Sequence, residues 1–215
     1  AEMGYHLFFN FTINSAVPVL EPTVPPLENR FEQLSSLSKQ WGARAINWRF
    51  DPMSFFMSGD GNYQDNLADF PQIAAAAFDA GIERCITSFM DFYPKIKKRV
   101  QKMDRFKFYD PPIEKKIDIL YQMQETLAPF KIALQMCCEG DLLAKLPEDL
   151  SIEASSCVPG RLLAELYGDD LSLRKDAGQR VKAGCGCSVS VDIGSYKAHP
   201  CYHRCLYCYA RPIGS

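Results

Sequence analysis

The chain alternates between short runs of β-branched and aromatic residues and longer segments in which apolar positions recur every three or four residues. HLFFNFTI, residues 6–13, reads as a buried strand, because a strand covered on both faces is apolar at nearly every position. The proline-punctuated VPVLEPTVPP that follows reads as a loop. Leu27, Phe31, Leu34, Leu37 and Trp41 then repeat at helical spacing, with Gly42 as the stop. The alternation continues with a strand over ARAINWRF (43–50), a helix from about Tyr63 to Ala80 and a strand over ERCITSFMDF (83–92). Helices across 94–102 and 112–128 and a strand over KIALQMC (131–137) come next. A shorter helix around Arg161 to Tyr167 leads through polar residues to SVSVDIG (188–194), predicted as a further strand.

Strand–helix alternation implies a parallel sheet with helical crossovers, open or barrel-shaped. The expected fold class is therefore α/β, a (βα) repeat forming a partial or permuted TIM-like barrel with a C-terminal cysteine-rich segment. At 215 residues the chain is long enough for one core. The division expected is a (βα)-repeat domain over 1–180 and a cysteine-rich segment over 181–215 packed on the same domain.

In such folds the chemistry gathers where strands end at their carboxyl side. The first strand finishes with Asn10, Thr12 and Asn14, and the second with Arg49 and Asp51. The third finishes with Ser88, Asp91, Tyr93 and Lys95, and the fourth with Cys138, Glu139 and Asp141. Any one of these is what a strand meeting water carries. Together they place a polar rim beside the cysteines. Arg49 and Asp51 read either as an ion pair across the strand end or as groups that orient a ligand.

Composition narrows the partners. A formal charge of −2 gives no global attraction to nucleic acid or to an anionic membrane. KIKKRVQKMDRFK, residues 95–107, carries seven basic side chains against one acid, and Phe106, Phe108 and Tyr109 lie alongside. A nucleic-acid surface would use such groups on phosphates and bases, but the run reads better as a solvated helix face. Residues 3–20 carry no charged side chain, yet His6, Asn10, Thr12, Asn14, Ser15 and Pro18 interrupt the run. It is neither a membrane helix, which needs about 18 consecutive apolar residues, nor a signal peptide with its basic start. Nine cysteines, an odd number, then argue for a reducing, cytoplasmic compartment and against a disulfide framework. In that compartment the NFT sequon at 10–12 is accidental. The start at Ala1, a few residues before a strand, leads us to expect a fragment of a longer chain.

Five of the nine cysteines fall within the 24 residues from Cys185 to Cys208, and such clustering is typical of metal binding. CYHRCLYCYA, residues 201–210, has the spacing C-x3-C-x2-C. Three thiolates on one tight loop can cap three irons of a 4Fe–4S cube and leave the fourth iron open to a small molecule. Cys138, Cys157, Cys185 and Cys187 are candidates for a second metal site, an auxiliary cluster or a structural zinc, with Gly186 permitting a tight turn between ligands. Cys85 and Cys137 lie within strands and read as inert core residues. His199 and His203 flank the loop and are read as bystanders to iron rather than zinc ligands.

The C-x3-C-x2-C loop, with the aromatic Tyr207 before its last cysteine and SVSVDIG ahead of it, resembles the signature of the radical S-adenosylmethionine (SAM) superfamily. The set FNFTINS, WRFDP, CGCSVSVDIG and CLYCYA also resembles an uncharacterised bacterial family whose C-terminal cysteines are radical-SAM-like. The resemblance implies that Cys201, Cys205 and Cys208 hold the cluster, that its open iron chelates SAM, and that Tyr207 lies near the adenine. It implies reductive cleavage of SAM to a 5′-deoxyadenosyl radical, which takes hydrogen from a substrate the sequence does not reveal. An electron donor such as a flavodoxin or ferredoxin would then be a partner. The motif comes late in the chain, hence the permuted barrel. Asn10 and Glu139 are candidates to touch the cofactor, and Arg49, Asp51 and Asp91 are candidate catalytic residues. Other readings stay open: a non-catalytic zinc or iron–sulfur protein, or a repair or modification protein acting on nucleic acid.

Overall fold

In a computed structural model, residues 4–59, 61–168, 171–178, 180–195 and 198–210 are described. Met3, at the head of the charge-free run, and residues 211–215, at the end of the cysteine-rich segment, lie outside them. Five strands, β1 (Phe9–Thr12), β2 (Ile46–Met53), β5 (Arg84–Phe89), β7 (Ala133–Met136) and β8 (Glu153–Ala154), form a sheet in that spatial order, and every neighbouring pair is parallel. The strands that pair are successive parallel strands in the chain, so each crossover moves one place along the sheet. The helices α1 (Leu27–Trp41), α2 (Phe70–Asp79) and α4 (Ile113–Leu127) follow the same order, α1 against α2 and α2 against α4.

These helices form because their apolar positions keep the helical period. Leu27 and Leu34 of α1, Phe70, Ile73, Ala74 and Ala77 of α2, and Ile119, Leu120, Met123 and Leu127 of α4 are the buried stripes. Pro71 sits in the first turn of α2, where its missing N–H costs nothing. The stripes cover one face of the sheet, with Trp48 and Phe50 of β2 packed on Phe70 at ring separations of 5.5 and 4.9 Å. Side chains alternate along a strand, so Asn47, Arg49 and Asp51 face the other way. There Asn47 donates to Asn10 at 3.2 Å and accepts from Arg84 at 2.9 Å. The sheet thus has an apolar, helix-covered face and a polar one that continues into the site.

Three expectations are corrected. Tyr63 does not begin a helix: β3 (Phe55–Ser58) and β4 (Asn62–Asp65) form an antiparallel hairpin turned through Gly59 and Gly61, and α2 starts at Phe70. The backbone at Gly61 is left-handed (φ 80°), a conformation glycine adopts without steric cost. With β6 (Lys107–Phe108) the hairpin makes a second, three-stranded sheet whose core buries Phe56, Phe106 and Phe108 against Ile96 of α3 (Pro94–Val100). Buried there, Phe106 and Phe108 cannot stack on bases, which leaves the nucleic-acid reading only the half-buried Tyr109 of its three aromatics. SVSVDIG is not a strand: its one β contact is the isolated bridge from Ser188 to Lys175, and Val191 and Ile193 are 85% and 97% exposed. Two short helices, α5 (Gly140–Leu143) and α6 (Gly160–Tyr167), lie in the C-terminal part of the chain. No helix among the described residues is long and apolar enough to cross a membrane.

Trp48 is fully buried, and its indole N–H donates to the Ile13 carbonyl at 3.0 Å. Trp48→Ala is expected to cost about 3–5 kcal/mol in denaturant unfolding, the range for deleting a large core aromatic. A loss below about 1 kcal/mol would be incompatible with this packing.

Candidate functional site

At the carboxyl edge of the sheet, strand ends and the C-terminal cysteine loop enclose a cavity of about 810 Å³. Thr12, Arg49, Asp51, Ser88 and Asp91 line it from the sheet, Cys137, Cys138 and Cys157 from one side, and Cys205, Tyr207 and Cys208 from above. The chain folds this way because Thr12, Arg49, Asp51 and Ser88 lie within β1, β2 and β5, and Asp91 two residues beyond β5, strands whose positions the apolar face dictates.

The loop is held from three directions. Leu206 is buried in the core of the second sheet, and its N–H donates to the Leu20 carbonyl at 2.7 Å. Arg99 of α3 donates through Nη1 to the carbonyls of Cys205, Leu206 and Cys208 at 3.3, 2.6 and 3.0 Å. One guanidinium therefore gathers the carbonyls of the turn through charged hydrogen bonds and leaves the thiols free of it. The Tyr207 hydroxyl donates to Glu21, and Asn14 donates to both Glu21 and the Tyr207 oxygen at 3.0 and 2.9 Å. Arg30 lies 3.7 Å from Glu21 and donates to the Asn14 carbonyl at 2.8 Å. Burial, then the Glu21 charge, holds the Tyr207 phenol well above its ordinary range.

Cys201 is exposed, while Cys205 and Cys208 are half-buried. The Cys205 thiol is pushed up to about 12 by burial, by Glu21 and by the neighbouring thiols of Cys208 and Cys201. A bound cation opposes these influences, since its charge favours the thiolate form.

On the rim, Arg49 donates to Asp51 and, at 2.9 Å, to the Cys157 sulfur, and Ser88 donates to the other oxygen of Asp51. Burial opposes the Arg49 charge, but Asp51, Cys157 and Cys137 outweigh it and hold the guanidinium above its ordinary pKa. Asp91 accepts from Arg180 at 2.6 Å, and Arg180 also reaches the Tyr93 hydroxyl at 2.9 Å. The remaining predicted site residues are placed beside the cavity rather than in its lining. Asn10 donates to the Cys157 carbonyl at 2.8 Å. Glu139 accepts from the Phe89 N–H at 2.8 Å, and burial raises its carboxyl to about 7.

The other cysteines form a second group. Cys137 Sγ lies 3.7 Å from Cys138 Sγ and 3.9 Å from Cys157 Sγ. Cys185 is near enough to influence the Cys138 thiol, and Cys157 and Cys185 that of Cys187, so the five thiols are arranged as a ring. Cys137 belongs to this ring and is not the isolated core thiol expected of it. Among the described residues no three His, Cys, Asp or Glu side chains stand as a ready-made metal-ion site.

Glu21, Arg30, Arg99, Arg180 and Cys137 were not anticipated. Arg30 had a signal, since it falls in phase with Leu27 and Leu34 on the buried stripe of α1. Arg99 lies three residues after the buried Ile96, on the inward side of a run that otherwise meets solvent. Glu21 and Arg180 sit in irregular segments where no periodicity exists to read.

Arg99→Met removes the charged donor from three carbonyls while keeping an apolar stem. A charged hydrogen bond contributes about 1.5–3 kcal/mol and each ~1.4 kcal/mol is tenfold, so alkylation of Cys205 in the metal-free protein is expected to accelerate roughly tenfold or more. Mass-spectrometric rates equal to those of the unmodified chain would contradict the anchoring role.

No curated protein matches this chain, and no solved structure matches it. The family model described as Domain of unknown function (DUF1848) matches residues 1–210, and the chain belongs to that family.

Proposed function

We propose that this is an iron–sulfur protein and a radical SAM-type enzyme of unknown substrate, with Cys201, Cys205 and Cys208 binding a 4Fe–4S cluster. The observation that carries the reading is the loop's position: two of its three thiols line a large cavity whose opposite wall is the charged carboxyl edge of a parallel sheet. The donor set fits the group, since soft thiolates on a C-x3-C-x2-C turn suit three irons of a cube and leave one iron open. On this reading the five parallel strands are an arc of a partial or permuted TIM-like barrel, in keeping with their sequential order. When bound, the cluster supplies one-electron reduction of SAM.

The chain's own residues then have separate tasks. Arg99 and Leu206 hold the loop's backbone. Arg49, fixed by Asp51 and Cys157, and Glu21, 3.7 Å from Arg30, put a guanidinium and a carboxylate in the cavity lining, charges that suit a zwitterionic ligand. The helix-covered sheet and the loop above it restrict water at the reacting centre. A flavodoxin or ferredoxin in the cytoplasm fits as the electron donor.

Anaerobic reconstitution with iron and sulfide is expected to give a brown protein with about four irons on the loop, whose reduced EPR signal shifts when SAM is added. Arg49→Ala should keep that iron content and lower the rate of reductive SAM cleavage. A colourless protein that takes up no iron, or a cluster whose signal ignores SAM, would refute the enzymatic reading.

A further inference from the structure

We infer that Cys138, Cys157, Cys185 and Cys187 bind a second, separate metal: one zinc ion in a closed tetrathiolate site that staples residues 176–188 to the carboxyl edge of the sheet. That stretch has little else to order it. Across 171–195 the buried residues among those described are Cys185, Cys187 and Ser188, whereas Leu171, Leu173, Val181, Val189, Val191 and Ile193 are exposed. A segment with no apolar core of its own and almost no ladder cannot offset its conformational entropy by hydrophobic burial. Small units in that position use a metal, and thiolate zinc contributes folding free energy outright.

Geometry points the same way. Three separate stretches of chain converge: Cys137 brings the end of β7 to Cys157 in the loop after β8, Gly184 ahead of the Cys185-Gly186-Cys187 turn packs on Gly140, and Ser188 behind it donates its N–H to the Val158 carbonyl at 3.0 Å. Tetrahedral zinc–sulfur bonds of about 2.3 Å set sulfurs about 3.8 Å apart. Cys137 Sγ stands 3.7 Å from Cys138 Sγ and 3.9 Å from Cys157 Sγ, so two of the four ligands flank one sulfur and lie within reach of a common ion. Cys138 has a left-handed backbone (φ 59°), unusual for a side-chain-bearing residue, and this turns its thiol towards Cys137 although neighbouring strand residues ordinarily point to opposite faces. The CGC turn is seated by close backbone approach. A Cβ on Gly184 would come within 3.1 Å of Gly140, and one on Gly160 within 2.2 Å of the Ser188 hydroxyl oxygen. Arg49 donating to the Cys157 sulfur supplies the outer hydrogen bond that thiolate ligands of a metal commonly receive.

Cys137 is left out of the ligand set. Its N–H donates to the Thr87 carbonyl at 3.0 Å, which ties its backbone to β5 just past the end of β7, whereas the other four thiols lie on irregular chain off that ladder and are able to draw inward around an ion. The zinc staple also has a consequence for the cavity: Arg180, which holds Asp91, precedes Cys185 by five residues and receives its N–H at 3.2 Å, so the ion fixes one wall.

The test separates this site from the C-terminal loop. A full-length chain with Cys201, Cys205 and Cys208 changed to Ala is expected to be purified with about one zinc and no acid-labile sulfide. Cys157→Ala with Cys187→Ala in that background should lose the zinc, and Cys137→Ala should keep it. Because the double variant can fail to fold, stripping zinc from the unmodified protein with a chelator serves as a second measurement, and hydrogen exchange of residues 176–188 should then accelerate while that of β2 and β5 stays unchanged. Zinc absent from the loop variant, zinc retained without Cys157 and Cys187, sulfide at this site, or exchange indifferent to chelation would each overturn the inference. None of these results depends on whether the loop carries iron or binds SAM.

Discussion

The thiols of Cys138, Cys157, Cys187 and Cys205 are held above the ordinary range by burial and by neighbouring thiols, joined at Cys205 by the Glu21 carboxylate, because each new negative charge would be raised in partly desolvated surroundings. A protonated thiol is a poor ligand and a poor nucleophile, and a buried group of them makes only weak hydrogen bonds. Of the nine cysteines, only Cys85 is an isolated thiol deep in the helix-covered core; the other eight fall into the loop trio and the ring of five. A metal cation is the partner that turns such groupings from a liability into a cross-link. Both proposed metal sites would meet that electrostatic requirement.

The fold supplies rigid supports for both groupings. The parallel sheet places Arg49, Asp51 and Ser88 by strand alternation, and the smaller antiparallel sheet builds a second core that receives Leu206. Arg99 and the Asn14–Glu21–Arg30–Tyr207 network then connect the loop to segments distant in the chain. Tyr207 is tied down by this network through its hydroxyl, so its ring is a fixed wall of the cavity.

Periodicity made the main sheet legible. Leu27 to Trp41 marked α1, and ARAINWRF, ERCITSFMDF and KIALQMC marked three of the parallel strands, because one-sided helices and two-sided buried strands leave strong patterns. The hairpin at 55–65 was hidden because Tyr63 and Gln64 are exposed and carry no core-facing alternation; its signal was the pair of glycines at 59 and 61. SVSVDIG misled for the opposite reason: its alternation is real, but no strand pairs with Val191 or Ile193, and neither is covered. The strand-end rim was legible as a group, since Thr12, Arg49, Asp51, Ser88 and Asp91 do share one cavity. The partners of those residues were not, because Glu21, Arg99 and Arg180 reach the site through tertiary contacts that leave no local trace.

The most direct test of metal-paired thiols is anomalous X-ray scattering at the iron and zinc edges from crystals grown anaerobically. The expected result is iron density bounded by the sulfurs of Cys201, Cys205 and Cys208, with zinc density separately among Cys138, Cys157, Cys185 and Cys187. Crystals in which the three loop sulfurs surround no metal, or point apart into separate surroundings, would contradict it.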